Sequence, residues 1–299
     1  MIPETTLVFS GVLHAQVKEH LFPSDGLEAA AILICTRAPG PRLRLLVRET
    51  LLVPYDECAC RERDAITWAG KYLERAIDLA EPDNSSIILI HSHPSGLFAF
   101  SVADDESDHH VMPSLFHAFG TQHGSAVMTA DGAVRARLYD PDLLERPVDL
   151  VTVSGDDLLY WWVDQASSSG PGDRPMAFTS SMTAELGRLS AMVIGASGTG
   201  SIAAEQLARL GFGRVHAVDF DRVEERNLNR ILNSSRGDAE ANRLKVEVFA
   251  DAVSDYRGDG VAVPLPVSIT TREAVLAAAS SDVVFCCVDT LEARHRSEE

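Results

Sequence analysis

The stretch Ser86-Ile-Ile-Leu-Ile90 runs straight into His91-Ser-His93-Pro94, and no other junction constrains the fold of this chain as much. The β-branched apolar run reads as a buried strand. Side chains alternate along an extended chain, so His91 and His93 face the same way where the strand ends. Pro94 lacks an amide hydrogen and turns the chain into a loop. Beyond the loop, Ser101 followed by Asp104 and Asp105 reads as a helix start, with an N-cap and acidic residues in the first turn. Asp104 then faces back toward the imidazoles. Two neutral imidazoles and a carboxylate, with a fourth position left to water, make a catalytic rather than a structural zinc set.

This order, His-Ser-His-Pro and then Ser-x-x-Asp after six residues, resembles the JAMM motif of JAB/MPN-type zinc peptidases. The resemblance covers the first half of the chain, to residue 145. It implies an upstream glutamate at the opening of the first core strand, just after an N-terminal helix. Glu28 in Gly26-Leu-Glu28-Ala-Ala-Ala-Ile-Leu-Ile-Cys35 stands at that place, behind an amphipathic helix over 14–21. Glu49 and Glu57 are rivals; Glu28 is preferred because it opens an apolar strand. The implied zinc ligands are His91, His93 and Asp104. Glu28 would hold the water, take its proton and pass it to the leaving amine. Ser101 would stabilise the oxyanion or serve as a plain cap. The implied reaction is cleavage of amide or isopeptide bonds at the C-terminal tail of a ubiquitin-like protein. Some bacterial members cut other small substrates, and these residues do not choose between them.

A second motif lies downstream. Leu189-Ser-Ala-Met-Val-Ile194 reads as a strand, Gly195-Ala-Ser197-Gly198-Thr-Gly200 as a turn, and the apolar spacing over 201–210 as a helix closed by Gly211 and Gly213. A second strand, 214–218, ends at Asp219. This is a βαβ unit that places phosphate at a helix N-terminus. The turn alone leaves NAD, FAD, ATP or no ligand open. The continuation Val218-Asp219-Phe-Asp221-Arg-Val-Glu-Glu-Arg-Asn227-Leu-Asn-Arg230, with Lys245 and Asp289 further on, resembles the ThiF/MoeB family and the adenylation domain of ubiquitin-activating enzymes.

The second resemblance implies that Gly195, Gly198 and Gly200 let the backbone approach the phosphates of ATP. It implies that Asp219 holds the ribose, that Asn227, Arg230 and Lys245 grip the phosphates, and that Asp289 binds Mg2+. Attack of a carboxylate on the α-phosphate gathers negative charge that such cations neutralise. The chain departs from the family in three respects. Ser197 stands where a glycine is common, and only Arg174 is on offer as the arginine that precedes the first strand. The chain ends ten residues beyond Asp289, so a partial domain without a thioester-cysteine loop is expected. Cys286 and Cys287 read as buried small hydrophobes. An NAD(P)-dependent oxidoreductase would share the turn but leave Asn227, Arg230 and Lys245 without a purpose.

The 299 residues suffice for two domains. The expected division is 1–163 for the JAB/MPN-like domain, 164–175 for a Pro/Gly/Ser-rich linker and 176–299 for the partial ThiF-type domain. The expected fold class is α/β: a mixed sheet with flanking helices, then a partial doubly wound Rossmann-like domain. In the first domain, strands are expected over 30–36, 43–53 and 87–93 with a helix near 64–80. In the second, they are expected over 190–195, 214–219, 261–267 and 282–288 with a helix near 240–253. A formal net charge of −18 argues against nucleic acid or phospholipid as the main partner. No segment reaches membrane-spanning length. Five cysteines without a disulfide framework fit a reducing compartment, so a cytoplasmic location is expected. Zn2+, ATP and Mg2+ are the implied cofactors, and a ubiquitin-like protein or its tail the implied partner. The resemblance also allows a homodimer through the adenylation half. The other reading is a metallopeptidase whose ThiF-like half holds nucleotide or tail without turnover.

Overall fold

The structure is a computed structural model that describes residues 2–120, 122–156, 158–165 and 180–288. The first part of the chain carries β1 (Thr5–Ser10), α1 (Gly11–Leu21), β2 (Ala30–Arg37), β3 (Leu43–Leu52), β4 (Cys58–Arg61), β5 (Ile66–Trp68) and α2 (Lys71–Ala80). There follow β6 (Ser86–His93), α3 (Val102–Ala118), β7 (His123–Thr129), β8 (Val134–Tyr139), β9 (Glu145–Pro147), β10 (Leu150–Ser154) and β11 (Leu158–Trp162). The second part carries α4 (Ser180–Leu186), β12 (Ser190–Ile194), α5 (Gly198–Leu210), β13 (Arg214–Val218), α6 (Arg236–Glu240) and α7 (Lys245–Arg257). It ends with β14 (Ala262–Leu265), α8 (Arg272–Ser280) and β15 (Val283–Cys286). The chain divides into two compact units, β1 to β11 and α4 to β15.

The first unit is built on a nine-stranded mixed sheet in the order β11-β10-β1-β3-β2-β6-β7-β8-β9. Central β2 is buried along Ala30–Cys35 because both of its faces are covered. Its alternation sorts the core. Ala31, Leu33 and Cys35 join Val17 and Leu21 of α1 on one face. Ile32 and Ile34 join Ala76 and Ala80 of α2 and Met112 and Leu115 of α3 on the other. Ile87 on β6 faces α2 and α3, so the period of two sends His91 and His93 to that face. Tyr160-Trp161-Trp162 ends β11, and Trp161 packs in the core, stacked on His14 at 5.7 Å between ring centroids.

The helix expected over 64–80 begins only at Lys71. Residues Ile66–Trp68 instead pair antiparallel with β4, a hairpin whose alternation was too short to read. The helix expected near 240–253 is α7, which begins at Lys245 and runs on to Arg257, and α8 is an additional helix.

The second unit is a parallel four-stranded sheet in the order β14-β13-β12-β15. The chain steps outward from β12 to β14 and then crosses to the other side of β12. That reversal between β12 and β15 opens a crevice at the carboxyl ends of the strands. Cys286 and Cys287 are not buried as expected. Cys286 is exposed and Cys287 half-buried; among the described residues β15 pairs with β12 alone. No helix among the described residues is long and apolar enough to cross a membrane.

Candidate functional site

Strand β6 delivers His91 and His93, and helix α3 delivers Asp104. Ser101 is the N-cap of α3: its Oγ accepts the Asp104 N–H at 3.2 Å, and Asp104 Oδ2 accepts the Ser101 N–H at 2.6 Å. This capping box aims the Asp104 carboxylate back at β6. His91 Nε2 lies 3.0 Å from Asp104 Oδ1, His93 Nε2 lies 3.4 Å from Asp104 Oδ2, and the two Nε2 atoms are 3.1 Å apart. Ligands bound tetrahedrally to zinc at 2.0–2.1 Å stand about 3.3 Å from one another. The three side chains are spaced on that order, with Asp104 meeting His91 through Oδ1 and His93 through Oδ2. His93 Nδ1 donates to the Leu97 carbonyl at 2.8 Å, which leaves its Nε2 lone pair for a metal.

Glu28 stands just before β2, where its N–H donates to the Glu62 carbonyl at 2.7 Å. One of its carboxylate oxygens and ring nitrogens of His91 and His93 all lie within 4.8 Å of one another. Burial pushes Glu28 up, His91 and His93 pull it back, and its carboxyl settles at about 6. Burial alone would raise Asp104 too, but hydrogen bonds from His91 and His93 outweigh it and hold Asp104 well below the usual carboxylate range. One group is thus suited to exchange protons near neutrality and its neighbour to remain an anion. Glu57 is instead engaged with Lys71, and Glu49 sits on β3 opposite Ile34.

A cleft of about 390 Å³ runs from Glu28, His91 and Asp104 past Trp68 and Leu73 to Asp108 and Ser125. Asp64 also lines it and helps raise Glu28. The sequence reading missed Asp64, Trp68 and Leu73 as cleft residues because it placed all three in one helix.

The crevice of the second unit has a volume of about 530 Å³ and is lined by Gly195, Gly198, Asp219, Asn227, Arg230, Lys245 and Cys287, among others. Gly195 has φ +90°, a conformation side chains rarely adopt. A Cβ on Gly200 would lie 1.6 Å from the Gly195 carbonyl oxygen, so Gly200 is required by the fold itself. Asp219 accepts the Ala196 N–H through Oδ2 and the Asp221 N–H through Oδ1, each at 2.8 Å. Lys245 is buried, with its Nζ 2.8 Å from Asp221 and 3.8 Å from Asp219. Asn227 is buried and accepts the Glu224 N–H at 3.1 Å. Arg230 is exposed and donates to the Arg226 carbonyl at 3.0 Å. Asp289 and Arg174 lie outside the described residues.

Fold and sites define two modules, one with a group of side chains that could hold a metal ion and one with a crevice at the carboxyl ends of a parallel sheet. Residues 12–139 match the prokaryotic homologues of the JAB domain and residues 174–298 match the ThiF family. The chain carries a JAB/MPN-like N-terminal domain followed by a ThiF-family C-terminal domain. It is similar to the ubiquitin-like modifier-activating enzyme 5 of Caenorhabditis elegans, 33% identical over 34% of this chain and 26% of that protein. The enzyme of the same name from Arabidopsis thaliana is 31% identical over 35% of this chain and 27% of that protein. The chain thus spans about a quarter of the length of these curated relatives. Among solved structures, the E. coli tRNA N6-threonylcarbamoyladenosine dehydratase TcdA in complex with AMP is 23% identical. That match covers 40% of this chain and 49% of that chain, with a TM-score of 0.38.

Proposed function

We propose that the first unit is a zinc-dependent (iso)peptidase that cleaves at the tail of a ubiquitin-like protein, and that the second uses ATP to adenylate a protein C-terminus. The observation that carries the reading is the convergence of His91, His93 and Asp104, with a Glu28 oxygen within 4.8 Å of both ring nitrogens. His91, His93 and Asp104 would hold the ion, which when bound supplies Lewis acidity to the scissile carbonyl. Glu28 takes the proton of the attacking water and delivers it to the leaving amine. Ser101 accepts the Asp104 N–H through its oxygen, so its own hydroxyl hydrogen is left to donate to the oxyanion.

In the second unit the tail carboxylate attacks the α-phosphorus of ATP, a new P–O bond forms, and pyrophosphate leaves with the electron pair. Gly195, Gly198 and Gly200 admit the phosphates, Asp219 takes the ribose, and Asn227, Arg230 and Lys245 meet the negative charge. Asp289 is assigned to Mg2+. The ThiF match and the relatives that activate ubiquitin-like modifiers support this reading. The alternative is a metallopeptidase whose second unit holds nucleotide or tail without turnover. A cytoplasmic location, a homodimer through the second unit, and the division into 1–163, 164–175 and 176–299 belong to the same reading.

Glu28→Gln is expected to keep its metal content and lose about a hundredfold or more in turnover of a ubiquitin-like protein bearing a fluorogenic C-terminal amide. His91→Ala is expected to lose the metal itself, read by plasma spectrometry. Full turnover in Glu28→Gln would overturn its role as the base. Tail-dependent pyrophosphate exchange tests the second unit, and its absence in the intact chain would leave the holding reading.

A further inference from the structure

The loop from Pro94 to Ser101 joins the two histidines to Asp104, and it is gripped from β8. Arg135 and Arg137 stand two residues apart on that strand, so both side chains leave the same face. Phe98 and Phe100 stand two residues apart on the loop. The Arg135 guanidinium lies 4.5 Å from the centroid of the Phe98 ring, and that of Arg137 lies 3.8 Å from the centroid of the Phe100 ring. Phe98 is buried, and Leu97 before it supplies the carbonyl that fixes His93. Phe100 is followed directly by the cap residue Ser101.

Arg137 also holds the helix that follows. Its side chain is 3% exposed. Nη1 reaches Asp105 Oδ1 at 2.5 Å, while Nη2 and Nε reach Asp108 Oδ2 at 2.7 and 3.0 Å. Asp108 receives the Tyr139 hydroxyl at 3.1 Å and the Ser125 hydroxyl as well. One buried guanidinium is therefore tied to the residue before the cap and to the first two turns after it. Asp104 lies between these anchors.

We propose that Arg135 and Arg137, stacked on Phe98 and Phe100, are positioning residues that set the loop and the start of α3 in the register the metal cluster needs. The proposal rests on the metal reading of His91, His93 and Asp104. Cation–π pairs between desolvated groups are strong enough for the task. Partners behind metal ligands typically change metal affinity by about ten- to a hundredfold when removed.

Arg137→Met would strand Asp105 and Asp108 beside an apolar side chain and can fail to fold, so the test acts on the rings. The full chain is compared with Phe98→Leu/Phe100→Leu and with Phe98→Tyr/Phe100→Tyr, in each case by zinc competition against a chromophoric chelator and by the visible spectrum after cobalt loading. Melting of the metal-free proteins is followed in parallel. The leucine pair is expected to bind zinc about ten- to a hundredfold more weakly with an altered cobalt spectrum, while the tyrosine pair stays near wild type. A leucine pair with wild-type affinity and spectrum would overturn the clamp. So would a tyrosine pair as weak as the leucine pair with metal-free melting unchanged in both, because any substitution would then suffice. A wild-type chain that takes up no metal would instead overturn the metal reading beneath it, and the clamp with it.

Discussion

His123 shows how one buried side chain makes the first unit less stable in acid. Its Nδ1 accepts the Ile87 N–H at 3.2 Å, so the remaining proton sits on Nε2 and points to the Phe119 carbonyl at 3.4 Å. Burial among Phe116 and Phe119 depresses its pKa from 6.5 to about 4. A histidine that is harder to protonate when folded contributes stability above pH 6.5, and loses it as the pH falls toward 4. The loss amounts to about 3 kcal/mol over that window, at about 1.4 kcal/mol per unit. Urea midpoints of wild type and His123→Gln between pH 7 and pH 4 should converge on acidification; parallel curves would contradict the assignment. At this scale the sequence was partly legible. Alternation alone brings His91 and His93 to one face, and the apolar strand that Glu28 opens favours it over Glu49 and Glu57, but nothing local shows which of the three lies beside the histidines. That distinction comes from strand pairing: Ala30 of β2 lies opposite His91 of β6. The buried role expected for Cys286 failed because apolar neighbours along a strand do not reveal what covers its side chains.

Among elements, the start of α5 invites a paired test. A Cβ at Gly200 meets the Gly195 carbonyl oxygen at 1.6 Å, and backbone must move to admit it. A Cβ at Gly198 has Arg230 side-chain atoms as its nearest neighbours, the closest at 3.5 Å, an ordinary contact. Gly200→Ala should lower stability by about 3 kcal/mol or more, at the upper end of overpacking costs. Gly198→Ala should melt like wild type but bind an ATP analogue more weakly, because its methyl stands where a phosphate approaches. Equal melting losses would mean that the crevice is shaped otherwise. The long apolar strands and α5 were legible because their patterns outlast one turn or two alternations. The β4–β5 hairpin was not, since Ile66–Trp68 offers only three residues.

For the whole molecule, the two units should answer to different ligands. In differential scanning calorimetry, a chelator should lower the transition of the first unit alone, and an ATP analogue should raise that of the second alone. Either shift is about 2.7 kcal/mol when the ligand stands at a hundred times its dissociation constant. Movement of both transitions with one ligand would contradict independence. A chain carrying charge −18 also has little attraction for polyanions, so added RNA should displace neither ligand. The capping box at α3 has a last consequence, and it concerns time. Ser101 and Asp104 hold each other by backbone and side chain before any ion arrives, so the ligand carboxylate needs no further ordering. Metal capture should then proceed as a simple encounter whose observed rate climbs in proportion to free zinc. It should not level off at a conformational rate, as it does in small domains that fold only around their ion.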